Sequence, residues 1–210
     1  MAAFKDRIDA GKRLAKELRY LKGEPAVVYA LPRGGVPLAK EVADELKAPL
    51  DLLFAHKVGH PFSPEYAVAA ISESGDIVAA PHEVQALGKA FIEKAAEEER
   101  LKMKAKRNLY LKGRGPIDPD GKVVIVVDDG IATGLTLEAA LVELKNKHPK
   151  RIILAVPAAP EDALDRLSKY TDENVCLIIA GPGDYLGSVG AYYDHFGQTS
   201  DEEVTRALFT

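Results

Sequence analysis

Cysteine is nearly absent from this 210-residue chain: Cys176 is the only one, so no internal disulfide can form. The chain also lacks a large excess of charge of either sign, because 28 basic and 32 acidic residues give a formal net charge of −4. That balance argues against a nucleic-acid-binding surface. No apolar run approaches the length of a transmembrane helix, and the first residues lack the apolar centre of a signal peptide. We therefore expect a cytoplasmic protein that binds neither nucleic acid nor a membrane.

Short apolar runs alternate with helical patterns along most of the chain. The runs that predict buried strands are Ala26 to Leu31, Leu50 to Ala55, Val123 to Val127, Arg151 to Val156 and Val175 to Ile179. The first segment, Phe4 to Lys22, predicts an amphipathic helix with Ile8 on its apolar side. This order is typical of an α/β protein, a parallel sheet with helices on both faces. The length suits a single domain over residues 1–210.

A hairpin and a long charged helix interrupt that alternation and predict an insertion over about residues 73–120. Ala67 to Ile71 and Ile77 to Ala79 flank a Ser-Gly-Asp turn, which indicates a β-hairpin. The helix runs from about Lys89 to Tyr110. Its mixed charges usually mean a solvated face. The alternative is that its basic end, with Lys112 and Arg114, lies near an anion-binding loop.

The richest motif follows the apolar run at Val123 to Val127. Two carboxylates come first, and a glycine- and threonine-containing loop then opens a helix; the residues are Asp128, Asp129, Gly130, Ile131, Ala132, Thr133, Gly134, Leu135 and Thr136. Backbone amides at a helix N-terminus favour an anion, and paired carboxylates accept hydrogen bonds from a diol or bind hydrated Mg²⁺. The chain has no G-x-x-x-x-G-K-[ST] sequence, and no G-x-G-x-x-G follows a strand. A P-loop or dinucleotide site is therefore not indicated.

A second glycine turn follows the first predicted strand. Pro32, Arg33, Gly34 and Gly35 precede a helix, so backbone amides and the guanidinium of Arg33 again favour an anion. Glycine turns before helices are common, and this motif by itself would more often be structural. Lys57 is either another cation for this site or an ordinary surface lysine. His56 and His60 are interpreted as loop residues, and Gly59 and Pro61 argue against a helical zinc site.

The stretch from Val123 to Thr136 resembles the motif with which type I phosphoribosyltransferases bind 5-phosphoribosyl 1-pyrophosphate (PRPP). The turn at Pro32 to Gly35 is similar to the pyrophosphate loop of that family, which often contains a non-proline cis peptide, here Pro32–Arg33. Further similarity to a bacterial and archaeal subgroup covers Lys57 to Pro61, Pro64 to Ala67 and Tyr193 to Val204. The resemblance implies the fold of that family over residues 1–210, with a small C-terminal hood over about residues 181–210.

The resemblance also implies roles for individual residues. The loop Ala132 to Thr136 would bind the 5′-phosphate, and Asp128 and Asp129 the ribose hydroxyls. Arg33, Gly34, Gly35 and Lys57 would bind pyrophosphate with Mg²⁺. Asp128, Asp129 and Arg33 would act in catalysis, and the acidic pair would contact the metal indirectly, through water or PRPP.

The acceptor is implied only as a nitrogenous base. Ala132 replaces the aspartate that contacts the purine in hypoxanthine–guanine enzymes, which disfavours a 6-oxopurine bound in that way. Tyr185, Tyr192, Tyr193 and Phe196 are aromatic enough to stack on a base, although such residues are more often core or interface. A homodimer is expected. The rival interpretation is a regulator of the same fold that senses PRPP or a nucleotide without turning it over.

Overall fold

The computed structural model describes residues 2–210, apart from the side chains of Pro64 and Glu65. Its centre is a parallel five-stranded sheet with the strand order β2-β1-β6-β7-β8. The strands are β1 (Ala26–Ala30), β2 (Leu50–Leu52), β6 (Val123–Val127), β7 (Arg151–Pro160) and β8 (Glu173–Ala180). The predicted parallel sheet is confirmed. The motif Pro64 to Ala67 lies partly outside the described side chains.

Helices cover both faces of this sheet. They are α1 (Arg7–Glu17), α2 (Gly35–Leu46), α5 (Leu135–Lys145), α6 (Glu161–Leu167) and α7 (Asp201–Phe209). Alternate residues of one strand point to opposite faces. In β6, Ile125 packs with the core shared by α1 and α2, whereas Val124 and Val126 pack with the core shared by α5 and α6. Burial on both faces explains why β1 and β6 read as continuous apolar runs.

A second, antiparallel sheet with the order β3-β4-β5 follows β2 in the chain and packs against the long helix and α5. Its strands are β3 (Ala55–His60), β4 (Ser63–Ser72) and β5 (Ile77–Ala79), followed by α3 (Pro81–Leu87) and α4 (Lys89–Leu111). The hairpin and the long helix are confirmed. The loop interpretation of His56 and His60 is wrong, because both residues belong to β3 and pair across to β4. Their glycine neighbour fits a strand since the ladder is irregular at Gly59.

The first helix is shorter than predicted. It begins at Arg7 after the N-cap Asp6, and Leu21 belongs to a separate 3₁₀ turn, Arg19–Leu21. Ile8 is 48% exposed, so its predicted place on the buried side is wrong, whereas Phe4 is buried outside the helix beside Tyr193. Near the C-terminus, the spacing of Ser200 and Glu203 in the sequence predicts a capping box for a last helix, and the structure has that capping box at the start of α7.

Candidate active site

The acidic pair lies at the carboxyl end of β6, at the centre of the parallel sheet. Asp128 accepts a hydrogen bond from the backbone amide of Asp129 (2.9 Å). The neighbouring strand β1 ends beside it, and the helix that follows β1 begins at Gly35. Because carboxyl ends of parallel strands share one edge, the two motifs predicted from sequence lie side by side.

Arg7 is a residue of this site that sequence reasoning missed. Its Nη2 and Nε atoms lie 2.7 and 2.8 Å from Oδ2 of Asp129, and the two side chains are only 13% and 15% exposed. The guanidinium also stacks over Phe196, 3.8 Å from the ring centroid, and donates to the backbone carbonyl of Gly197. Tyr193 donates its hydroxyl hydrogen to the carbonyl oxygen of Asp129 at 2.6 Å. The start of α1 and the C-terminal segment thus hold the acidic pair.

The two carboxyl groups differ in electrostatic environment. Burial and the adjacent charge of Asp129 raise the pKa of Asp128 well above its ordinary value. Burial raises the pKa of Asp129 as well, but Arg7 opposes that effect through its charge and its hydrogen bond. Arg7 therefore favours ionised Asp129, and proton uptake at this pair is favoured at Asp128. A carboxylate can accept several hydrogen bonds, so the pair with Arg7 leaves capacity for a ligand hydroxyl.

The loop after the acidic pair has the geometry expected of an anion site. Gly134 is the N-cap of α5 and has φ 72°, a conformation that favours glycine. Thr133 is exposed, and Thr136 is half-buried in the first turn. The first backbone amides of α5 have no acceptor within the helix and face its N-terminal end. This arrangement fits binding of a phosphate.

Arg166 from α6 reaches this loop from the other side. It donates to the carbonyl oxygen of Thr133 and lies 3.5 Å from a carboxylate oxygen of Glu138. Glu138 is buried, and it also accepts from Tyr170 at 3.0 Å and pairs with Lys169 at 3.1 Å. Neither Arg166 nor Glu138 carried a recognisable sequence signal. Together they fix the loop carbonyl and the first turn of α5.

The glycines of the second motif are required by close packing against the acidic pair. A Cβ atom on Gly34 would lie 2.1 Å from Oδ2 of Asp129, and one on Gly35 would lie 2.6 Å from the backbone oxygen of Val127. The peptide bond Pro32–Arg33 is cis, as the family resemblance implied. The glycine turn is therefore in direct contact with the acidic pair, although about ninety residues of sequence separate them.

Arg33 projects toward the start of α7. Its Nη1 atom lies 3.5 Å from Oδ1 of Asp201, whose other oxygen lies 2.6 Å from Nζ of Lys106 in α4. Lys112 and Arg114 do not lie near an anion loop, as the alternative interpretation of the long helix required: both contact Phe209, and Arg114 also donates to the carbonyl of Leu50. The long helix thus reaches the second motif through Lys106.

Two other residues predicted for the site, Lys57 and Tyr185, have no recorded contact with the acidic pair. Lys57 is an exposed residue of β3 that pairs with Ala70 of β4, and its side chain forms no hydrogen bond or ion pair with the residues that the structure describes. Tyr185 packs on Tyr192, with ring centroids 5.8 Å apart, and lines a cavity of about 460 Å³ with Pro160, Asp162 and Gly181. The hydroxyl of Tyr185 is buried without a partner among the described residues.

The remaining hood aromatics divide into core and surface. Tyr192 and Tyr193 are buried, and Phe196 is 38% exposed under Arg7. Val189, within the segment predicted as a hood, packs on Gly130 next to the acidic pair, because a Cβ on Gly130 would lie 2.6 Å from its side chain. Within residues 2–210 no helix is long and apolar enough to cross a bilayer. The described residues also contain no cluster of three or more side chains suited to holding a metal ion.

A parallel sheet with an acidic pair beside two glycine-containing loops, each of which precedes a helix, is typical of proteins that bind phosphate esters, and comparison with known proteins identifies the family. The model described as "Phosphoribosyl transferase domain" matches residues 2–185. The chain therefore belongs to the phosphoribosyl transferase family, and the resemblance noted from the motifs is confirmed.

Similar proteins agree with this assignment. Two curated sequences from strains of Mycobacterium tuberculosis, each named "Putative phosphoribosyl transferase", are 41% identical over 99% of this chain. The chain covers only 47% of the length of those relatives. A crystal structure of the Thermus thermophilus protein TT1426 is 39% identical, with a TM-score of 0.82 over 99% of this chain and 98% of its own. An Aquifex aeolicus protein, AQ2163, at 16% identity and a TM-score of 0.50 over 87% and 81%, shares the fold.

Proposed function

We propose that this chain transfers the 5-phosphoribosyl group of PRPP to a nitrogenous base and releases pyrophosphate. The observation that carries the proposal is the close packing of the glycine turn on the acidic pair, Gly34 against Asp129 and Gly35 against Val127 and Asp128, with the phosphate loop following the same acidic pair in the chain. PRPP carries a phosphate and a pyrophosphate on either side of a ribose diol. Two anion loops flanking two carboxylates match that order of groups.

The residues have distinct roles in this proposal. The amides and hydroxyls of Thr133 to Thr136 bind the 5′-phosphate, with Arg166 fixing the loop. Asp128 and Asp129 accept hydrogen bonds from the ribose hydroxyls, and Arg33 with the amides of Gly34 and Gly35 binds pyrophosphate. Lys57 would be a second cation for pyrophosphate only if its side chain reached the site from β3.

Transfer requires stabilisation of opposite charges. The anomeric carbon becomes positive as its bond to pyrophosphate breaks, and nearby carboxylates favour that charge, whereas Arg33 favours the leaving anion. The base nitrogen then forms the new bond to the anomeric carbon. Two carboxylates, one of them paired with Arg7, fit Mg²⁺ that is held mainly by substrate oxygens and water. Such an ion would offset the negative charge of pyrophosphate.

The acceptor would enter beneath the hood. Tyr185 is the residue proposed to contact it, because it combines an aromatic face with a buried hydroxyl that lacks a partner among the described residues and lines the 460 Å³ cavity. A homodimer remains a prediction, to be tested by light scattering of the purified protein.

The test is an acceptor screen with PRPP, Mg²⁺ and a panel of purines, pyrimidines and related nitrogen heterocycles. Pyrophosphate release that depends on one acceptor, with the matching ribonucleotide formed, would support the transferase. PRPP binding in calorimetry without release on any acceptor would favour the sensing regulator instead. Absence of PRPP binding would refute the transferase, and absence of both PRPP and nucleotide binding would refute the regulator as well.

A further inference from the structure

The insertion helix α4 brings a second cation to the loop that contains Arg33. Lys106 and Arg33 contact opposite oxygens of the same carboxylate, Asp201, at 2.6 and 3.5 Å. Two cations bridged by one anion form a site that a larger anion can also bridge. We propose that Lys106 completes the pyrophosphate site with Arg33, and that Asp201 occupies this site until pyrophosphate displaces its carboxylate. This inference rests on the proposed function.

The carboxylate has a further hydrogen-bond donor besides the two cations. Asp201 accepts a hydrogen bond from the hydroxyl of Tyr110 at 2.6 Å and lies in the first turn of α7, after the capping box. Tyr110 itself is buried and stacks on Phe54, so its hydroxyl is fixed. Asp201 therefore keeps a strong donor after the cations leave it, which lowers the cost of the exchange.

The exposure of the three charged groups suits an exchange. Arg33 and Lys106 are 42% and 43% exposed and Asp201 is 31% exposed, so solvent and a ligand can reach them. Exposed ion pairs are weak, whereas pyrophosphate carries several charges and offers bridging oxygens to both cations. Lys106 and Tyr110 keep the pKa of Asp201 below its ordinary value, so the carboxylate is charged at neutral pH and competes with anions.

If Asp201 competes with pyrophosphate for Lys106 and Arg33, substitutions of Lys106 and of Asp201 should change pyrophosphate affinity in opposite directions. Inorganic pyrophosphate with Mg²⁺ is titrated calorimetrically into the parent, Lys106→Met, Lys106→Arg and Asp201→Asn, with ribose 5-phosphate as the second ligand. Lys106→Met should weaken pyrophosphate binding about tenfold, and Lys106→Arg should restore most of it. Asp201→Asn should tighten pyrophosphate binding about two- to fivefold, because the competing charge is gone while the shape is kept.

Controls separate this inference from the proposed function and from misfolding. Lys104→Met changes an exposed lysine of the same helix and should leave both affinities unchanged. Ribose 5-phosphate should bind all variants alike, which also shows that they are folded. Equal pyrophosphate affinity in Lys106→Met and the parent, weaker binding in Asp201→Asn, or no pyrophosphate binding by the parent would overturn the inference. Failure of the proposed function would instead be loss of PRPP and ribose 5-phosphate binding in the parent.

Discussion

Replacing Arg7 by methionine is expected to destabilise the protein by about 3 kcal/mol at neutral pH. Methionine retains an unbranched apolar stem and removes the charge. The guanidinium lies 2.7 Å from the carboxylate of Asp129, and both side chains are nearly buried, at 13% and 15% exposure. Removing one partner of a buried pair costs about 3–5 kcal/mol, and the residual exposure places this pair at the lower end. The lost stacking on Phe196 contributes about 0.5–1 kcal/mol of that cost.

The loss should grow with pH. Without Arg7, only the backbone hydrogen bond from Asp129 opposes burial and repulsion at this pair, so the folded-state pKa values rise further above the unfolded values. A carboxyl group with a raised folded pKa contributes most at low pH, and its contribution is lost as pH rises through that pKa. The deficit of Arg7→Met should therefore be smaller at pH 5 than at pH 8.

Urea denaturation at pH 5, 7 and 8 of the parent, Arg7→Met, Asp129→Asn and the double variant measures this coupling. The melting temperature of Arg7→Met should fall by about 6–12 °C, the shift that 3 kcal/mol produces in a domain of this size. Arg13→Met is the matched control: Arg13 lies on the same helix and pairs with Asp9, but at 53% exposure, so its loss should cost less than about 1 kcal/mol. Asp129→Asn removes the charge that Arg7→Met leaves unpaired, so the double variant should recover part of the lost stability. Equal stability losses in the two arginine variants, or no recovery in the double variant, would refute the reasoning.

Three further substitutions test the anion loops and the acidic pair. Asp128→Asn should raise the melting temperature of the unliganded protein at pH 7 but not near pH 4. The reason is that the raised pKa of Asp128 makes its charge costly only once the carboxyl group ionises. The same substitution should lower the PRPP affinity measured by calorimetry about tenfold or more. A lower melting temperature at pH 7 would contradict this. Gly134→Val should abolish ribose 5-phosphate binding, because φ 72° is costly for a β-branched residue and a Cβ would lie 3.3 Å from Arg166; an unchanged dissociation constant would exclude this loop as the phosphate site. Arg33→Ala should weaken PRPP binding at least about tenfold and leave AMP binding nearly unchanged, and equal losses would remove Arg33 from the pyrophosphate site.

Features formed by consecutive residues could be predicted from the sequence. The apolar run Val123 to Val127 is a buried strand of the parallel sheet, and the glycine-containing loop opens a helix at Gly134 as predicted. The long helix and the capping box at Ser200 were likewise predicted correctly. Such features depend on local backbone geometry and on hydrophobic periodicity, both of which are written in neighbouring residues.

Local sequence patterns did not predict where the parallel sheet ends and the antiparallel sheet begins, between Leu52 and Ala55. The segment Ala55–His60 has neither an apolar run nor strict alternation, and it forms a strand because β4 supplies backbone partners across the antiparallel sheet. The exposure of Ile8 also depends on tertiary contacts. The periodicity of α1 does not show which side of the helix packs against the rest of the protein, and Ile8 lies on the other side.

The sequence by itself determined the family, the parallel sheet, and the loops that contain Asp128, Thr133 and Arg33. Tertiary structure alone decided which side chains hold those loops. Arg7 pairs with Asp129 across 122 positions of the chain, and Lys106 pairs with Asp201 across 95. Such pairs form only where helices from distant parts of the chain pack at the same edge of the sheet, and a charged residue on a helix gives no local signal of the carboxylate that it will meet.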